Sequence, residues 1–358
     1  MKLLRLRASG LRNLDDLDLR PGPAITVFQG PNASGKTSLL EGVHVLSCGK
    51  SFRATQLAKA VRYGQSRALL TGELETPAGP LSLGLEFDQD QSRMRMRAGG
   101  NPVSRLSEFA AIMPVVAIHQ ESHRLFTAGP QYRRQFLDWN LFHVEHAFLP
   151  VWQRYRRALR QRNALLQAGG RGLQAWDTEL VASGKEIDRL RRRMLESFLP
   201  QFERMTDLLG IARGIDLVYR AGWKEGVDLA DVLREGLAGD LALGYTRQGP
   251  HRADIEFRRG KALARDDLSR GQIKTLVCAA FMAQAMTSIE ATGRKVILLV
   301  DDLTAELDDA HSRRLLDRIA ELQLQTFITG AEERLLTLSE GYPRKVFHVE
   351  RGQIREVV

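Results

Sequence analysis

Gly30-Pro31-Asn32-Ala33-Ser34-Gly35-Lys36-Thr37 fits the pattern G-x-x-x-x-G-K-[ST] at every fixed position, and its flanks agree with it. Ile25-Thr26-Val27-Phe28 upstream reads as a short buried strand. Downstream, Leu39, Leu40, Val43 and Leu46 recur at helical spacing, so the loop joins a strand to a helix and places the chain in the α/β class. The loop's chemistry suits a nucleoside triphosphate: a helix N-terminus offers unpaired N–H groups and the positive end of the helix dipole. Gly30 and Gly35 permit the backbone conformations that aim those groups inward. Lys36 is placed to reach the β- and γ-phosphates, and the Thr37 hydroxyl to ligate Mg²⁺.

A length of 358 residues allows two domains or one domain with a large insertion, and 43% hydrophobic residues support a substantial core. The formal charge of +9 suggests an acidic partner such as nucleic acid, although basic composition also serves solubility alone. Cys48 and Cys278 are far apart and lack metal-type spacing, which fits free thiols in a reducing compartment. Charges interrupt the apolar residues at the N-terminus, so it lacks the continuous run of a signal peptide. No other run is long enough to span a bilayer. The expectation is a cytoplasmic protein with no membrane partner.

Alternation of Leu4, Leu6 and Ala8 against Arg5 and Arg7 reads as a half-buried strand, and similar patterns recur at residues 17–19, 81–85 and 94–96. From about Leu106 to Leu243 the texture changes to Leu, Arg, Gln and Ala at helical spacing. After Gly249 short apolar runs return, notably Val296-Ile297-Leu298-Leu299-Val300. The expected organisation is a head made of residues 1–105 and 244–358, interrupted by a mainly helical lobe over 106–243. There is no internal repeat and no sustained heptad.

Two acids, Asp301 and Asp302, follow the 296–300 strand. An acid there holds Mg²⁺ directly or through water, and a second one orients or deprotonates an attacking water. Upstream, Ser269 caps an apolar helix in Leu268-Ser269-Arg270-Gly271-Gln272, leaving N–H groups for a phosphate contact or a plain N-cap. Downstream stands Ala305-Glu306-Leu307-Asp308. Candidate nucleic-acid contacts are Arg154, Arg157 and Arg160 at helical spacing, and Arg191 and Arg192 in a second basic cluster. Such clusters bind phosphates without reading bases, or are solvated helix faces balanced by acids such as Glu186 and Asp188. His143 and His146 lack a companion ligand set for zinc.

The order of phosphate loop, S-x-G-Q segment, strand-ending acid and trailing A-E-L-D segment resembles the ABC-type ATPase heads of SMC-like proteins. Within them, Lys50-Ser51-Phe52-Arg53, Gly129-Pro130-Gln131-Tyr132-Arg133-Arg134, Phe136-Leu137-Asp138-Trp139 and Gly249-Pro250-His251-Arg252 resemble the RecF family. The resemblance runs over nearly the whole chain and is weaker through residues 153–239. It implies an ABC-type P-loop ATPase head with an inserted α-helical second lobe, binding ATP and Mg²⁺. It also implies an ATP-dependent homodimer in which Ser269, Gly271 and Gln272 of one subunit meet the nucleotide held by residues 30–37 of another. The same resemblance implies hydrolysis carried by Lys36, Asp301 and Asp302, expected to be slow because Asp302 is one methylene shorter than the Glu usual in transporter ATPases. Arg53 resembles an arginine that approaches nucleotide or DNA.

Family likeness further implies action at single-strand gaps in DNA repair, with DNA in single-stranded, gapped or junction form as partner and a RecR-type mediator protein beside it. Support of replication and of the SOS response belongs to the same likeness. Two other readings remain open at this level. One is the nucleotide-binding subunit of an ABC transporter, against which stands the long segment between phosphate loop and S-x-G-Q. The other is a structural tether, which the missing coiled coil disfavours. Gln120 is a candidate for the glutamine loop, and no switch histidine is apparent after Gln325-Thr326-Phe327-Ile328-Thr329.

Overall fold

A computed structural model of the chain describes residues 1–211, 214–330 and 332–357. It divides into two compact units: Met1–Ser122, Leu208–Ile211 and Lys274–Val358 form the first, and His123–Asp207 with Ala212–Ile273 form the second. The boundaries expected at 105/106 and 243/244 therefore lie further along the chain. Strand pairing explains the shift at each end.

Strands β1 (Lys2–Ser9), β2 (Leu17–Leu19), β3 (Ile25–Gln29), β4 (Arg67–Thr76), β5 (Gly79–Asp88), β6 (Arg93–Ala98), β7 (Asn101–Val103) and β8 (Val115–Ile118) precede the second unit. Within it are β9 (Ile215–Arg220), β10 (Asp254–Arg259) and β11 (Ala262–Leu263). After it come β12 (Ile297–Val300), β13 (Thr326–Thr329), β14 (Arg344–Glu350) and β15 (Gln353–Glu356). β8 pairs in parallel with β12, which keeps residues beyond 106 in the first unit. β10 pairs with β9, which keeps residues beyond 244 in the second.

One sheet of the first unit has the order β15-β14-β3-β13-β12-β8 and is parallel except for the β14–β15 hairpin. Every position of β3, β12 and β13 is buried, as parallel strands covered on both faces require. That double coverage is why residues 297–300 are a continuous apolar run and why residues 25–28 are apolar apart from the buried Thr26. The other sheet, β2-β1-β4-β5-β6-β7, is antiparallel and buries one face. Helix α1 (Lys36–Cys48) packs between them: Leu39, Leu40, Val43 and Leu46 share one apolar cluster with Leu6, Leu70 and Leu85 of the antiparallel sheet and Phe28, Ile297 and Phe327 of the parallel one. Each such buried side chain contributes roughly 1.5–3 kcal/mol.

The first strand departs from its expected alternation. Its register against β4 slips between Leu3 and Arg5, so Leu3 enters the core with Leu6 and Ala8 while Leu4 is left 46% exposed. A bulge of one residue turns the next side chain to the other face.

The second unit combines helices α2 (Pro130–Val144), α3 (Phe148–Gln167) and α4 (Leu173–Leu208) with the antiparallel sheet β11-β10-β9. Its interior is held by polar groups as well as apolar ones. The guanidinium of Arg162, fully buried, donates to Asp177 (2.6 Å), Asp240 (2.7 Å) and Thr246 (2.8 Å). Arg133 forms a bidentate pair with Asp254 at 2.6 and 3.0 Å. His251 Nε2 lies 3.0 Å from the Thr246 carbonyl, which only accepts, so Nε2 carries the proton and Nδ1 accepts from the Tyr155 hydroxyl at 2.6 Å.

Burial lowers the His251 pKa to about 4, against a partial rise from the Thr246 carbonyl. The unfolded chain, with this imidazole near its ordinary 6.5, therefore binds more protons than the folded one between those values. Stability from this group is complete above pH 6.5 and is lost as pH falls toward 4. Urea midpoints measured across that window are expected to fall less steeply in His251→Asn than in the parent chain.

Candidate nucleotide-binding site

β3 ends at Gln29, and the chain turns through residues 30–35 into α1. The turn takes φ of 142° at Gly30, 62° at Ala33 and 119° at Gly35. A Cβ on Gly30 would lie 2.1 Å from the Val349 carbonyl oxygen, and one on Gly35 2.9 Å from the Leu14 side chain. Both positions need glycine for torsion and for space. Asn13 braces the turn, its amide donating to the Ala33 carbonyl at 3.2 Å and its carbonyl accepting from Ser38 at 3.0 Å. The Lys36 ammonium arches back over the loop, donating to the carbonyls of Gly30 (2.7 Å) and Pro31 (2.8 Å).

Asp301 follows β12 and is fixed at three points. Its N–H donates to the Ile118 carbonyl at 2.8 Å, and its Oδ1 accepts from the Thr37 hydroxyl at 3.0 Å and the Thr329 hydroxyl at 2.7 Å. Burial raises its pKa above the ordinary carboxylate value, while the Thr329 and Thr37 hydroxyls pull it back. A buried carboxylate beside a hydroxyl is a hard-oxygen pair that a cation would neutralise. Thr37 and Asp301 thus fit Mg²⁺, which takes few protein oxygens and completes its octahedron with phosphate and water. Asp302 adopts left-handed backbone (φ 54°), and its N–H donates to the Thr329 hydroxyl at 2.8 Å. The parallel pairing of β12 with β13 holds this Thr beside both acids.

These groups line one cleft of about 810 Å³ with Asn32, Ala33, Gly35, Lys36 and Thr37 on one side and Asp301 and Asp302 on the other. The residues 264 apart in sequence that were expected to converge do so. The cleft also includes Arg12, Asn13, Thr329 and Arg334, which motif spacing did not single out. Arg334 is held by Asp309 (2.6 Å) and by the Thr304 carbonyl (2.8 Å). Only Thr329 carried a usable signal, as a hydroxyl closing the next apolar strand. Gln120 opens the turn after β8, beside the strand that ends in Asp301.

Ser269, Gly271 and Gln272 fall in the second unit, at the start of helix α5 (Arg270–Thr292). They form a reciprocal cap: the Gln272 N–H donates to the Ser269 hydroxyl (3.3 Å), and the Ser269 N–H donates to the Gln272 side-chain oxygen (2.9 Å). All three residues are exposed. A Cβ on Gly271 would meet nothing within 4 Å, so no packing within the chain requires glycine there.

The basic clusters separate on inspection of their partners. Arg191, expected on the surface, is fully buried instead: it pairs in bidentate fashion with Asp138 at 2.9 and 2.8 Å and donates to the Pro250 carbonyl at 2.7 Å. Its place in the 3.6-residue period turns it to the apolar face of α4, where only a paired charge is tolerated. Arg192 is exposed but paired with Asp188 at 2.9 Å. Arg154 pairs with Glu179 at 3.3 Å, Arg157 lies over the Trp176 ring, and Arg160 is exposed. Arg53 lies on the wall of the cleft, 3.6 Å from Glu41.

Removing one partner of a buried ion pair typically costs about 3–5 kcal/mol, whereas a surface truncation stays within about 0.5 kcal/mol. Chemical denaturation is expected to place Arg191→Ala in the first class and Arg192→Ala in the second.

The family model described as the RecF/RecN/SMC N terminal domain matches residues 2–355. The chain is 40% identical over 364 residues to the DNA replication and repair protein RecF of Pseudomonas putida, covering 99% of this chain and 98% of that one. It is 39% identical, at the same coverage, to the protein of that name from Pseudomonas syringae pv. tomato. Among solved structures, the recombination mediator protein RecF with ATP superposes with a TM-score of 0.88 at 23% identity, over 99% of this chain and 97% of that one. An SMC head bound to the C-terminal winged-helix domain of ScpA gives 0.61 at 15% identity, over 100% and 97%. The fold is that of an ABC-type ATPase head, and the chain belongs to the RecF family of SMC-like proteins.

Proposed function

We propose that this chain is an ATP-dependent DNA-binding protein of RecF-pathway repair, in which ATP joins two copies and slow hydrolysis releases them. The observation that carries the reading is the convergence of Lys36, Thr37 and Asp301 on one cleft, with a single carboxylate oxygen bridging Thr37 and Thr329. Residues 30–37 supply the phosphate cradle, and Thr37 and Asp301 hold Mg²⁺, whose charge stabilises the transferring phosphoryl group when bound. Asp302 orients the attacking water. Its short side chain suits slow turnover and a timed clamp rather than a motor.

Support for dimerisation comes from the exposed Ser269–Gln272 turn. Gly271 stands in the first turn of α5, where nothing within 4 Å requires a glycine. Close approach of a partner's nucleotide gives that glycine a purpose. A nucleotide contacting both copies stabilises the dimer by its differential affinity, and loss of the γ-phosphate removes that contact.

In this reading the DNA is contacted through its phosphates by Arg154, Arg157 and Arg160 on α3, with Arg192 as a further contact. Its function is at single-strand gaps, helping a recombinase load, with a RecR-type mediator as partner, and in support of replication and SOS induction in the cytoplasm. The names of the 40%-identical relatives agree with a repair and replication role. Among the described residues no helix is long and apolar enough to cross a membrane. The match along residues 2–355 to the RecF/RecN/SMC N terminal domain favours this reading over a transporter subunit.

The deciding experiment measures binding to gapped, duplex and single-stranded DNA with and without ATP across a salt series. Affinity that rises with ATP and falls steeply with salt is expected. Indifference to both would defeat the proposal. Lys36→Arg is expected to keep the fold and weaken ATP-driven dimerisation in light scattering, while Asp302→Asn dimerises with ATP but loses phosphate release.

A further inference from the structure

Glu41 lies in the second turn of α1, just beyond the phosphate loop, and its carboxylate is fully buried. A buried acid needs a compensating charge. Here it has two. Arg12 donates from Nε to Oε2 and from Nη2 to Oε1, both at 2.8 Å, and Arg53 Nη1 stands 3.6 Å from Oε2. The Ser51 hydroxyl also donates to Oε1, and its oxygen accepts the N–H groups of Arg53 and Ala54, each at 2.9 Å. One carboxylate therefore ties α1 to the two separate segments that bring Arg12 and Arg53 to the cleft.

The arrangement leaves both arginines able to act elsewhere. A guanidinium has five N–H donors, and Arg12 uses three: two to Glu41 and one from Nη1 to the Lys59 carbonyl at 2.6 Å. Its backbone sits at φ 51°, a left-handed conformation that side chains other than glycine adopt rarely, so external bonds must hold it. Arg53 remains 43% exposed. Two cations against one anion leave this wall of the cleft net positive, facing the loop that cradles phosphate.

We infer that Glu41 is a positioning residue of the nucleotide site, holding Arg12 and Arg53 on the cleft wall so that their remaining N–H donors meet the bound polyphosphate. The inference rests on the reading of the cleft as an ATP site. Glu41 does not touch the nucleotide; it removes the freedom of two long side chains before binding, so less order is imposed when ligand arrives. It differs from a plain packing role in acting through Arg12.

A double-mutant cycle tests it, reading affinity for a fluorescent methylanthraniloyl-ATP in the parent chain, Glu41→Gln, Arg12→Gln and the double variant. Each single variant is expected to weaken binding about tenfold, the order of one charge-assisted hydrogen bond, and the double variant by clearly less than the product of the two losses. Unchanged affinity in Glu41→Gln, or losses that multiply in the double variant, would overturn the inference. If Glu41→Gln does not melt cooperatively, Arg12→Lys replaces it, since an ammonium cannot span both oxygens: weaker binding supports positioning and unchanged binding overturns it. A parent chain that fails to bind the analogue would sink the ATP reading itself, whereas binding by the parent that is weakened in Lys36→Arg but not in Glu41→Gln sinks only the role of Glu41.

Discussion

The first unit is organised around one oxygen atom, Oδ1 of Asp301, which accepts hydroxyl hydrogen bonds from Thr37 and Thr329. Those two bonds join the N-terminus of α1 to the ends of β12 and β13. They form because β12 and β13 run parallel, so Asp301 and Thr329 emerge side by side at the C-terminal ends of their strands. The close-packed apolar interior fixes the strand positions, and with them the place of the carboxylate. Its burial makes it costly as a free anion, which is the condition under which a cation or a hydroxyl pair is bound strongly.

Arginine serves this chain in two physically distinct ways. Arg162, Arg133 and Arg191 are interior struts, each paired with one or more carboxylates on other elements of the second unit. Their delocalised, forked guanidinium spans two acceptors at once and is the less costly cation to bury. Arg12 and Arg53 are intermediate: each is anchored by Glu41 at one side and borders the cleft at the other. Composition counts all of them equally as positive charge. Net charge therefore overstates the surface available to an anionic partner.

The capping arrangement at Ser269 and Gln272 shows a local solution with a wider consequence. The Ser269 hydroxyl satisfies one orphan N–H of α5 and the Gln272 side chain satisfies the N–H of the capping residue itself. An exposed turn braced by its own side chains presents a preformed surface, and Gly271 keeps that surface low.

Local patterns were sufficient for the phosphate loop, for the acid after residues 296–300 and for the helical character of much of residues 130–208, because each depends on torsion, strand burial or 3.6-residue periodicity within a short window. They failed where the deciding partner is remote. Arg191 became a buried strut through Asp138 and Pro250, 53 and 59 residues away, and Leu4 was displaced outward by a register slip against β4. The domain limits followed from strand pairings of β8 with β12 and β9 with β10, which no window of sequence contains. Arg12, Asn13 and Arg334 reach the cleft by the same route. By itself the sequence determined which segments form the glycine-bearing turn into α1 and the acid-ended strand that meet at the cleft. Only the tertiary structure decided which charges are spent inside and which remain for a ligand, because burial and pairing are set by neighbours in space.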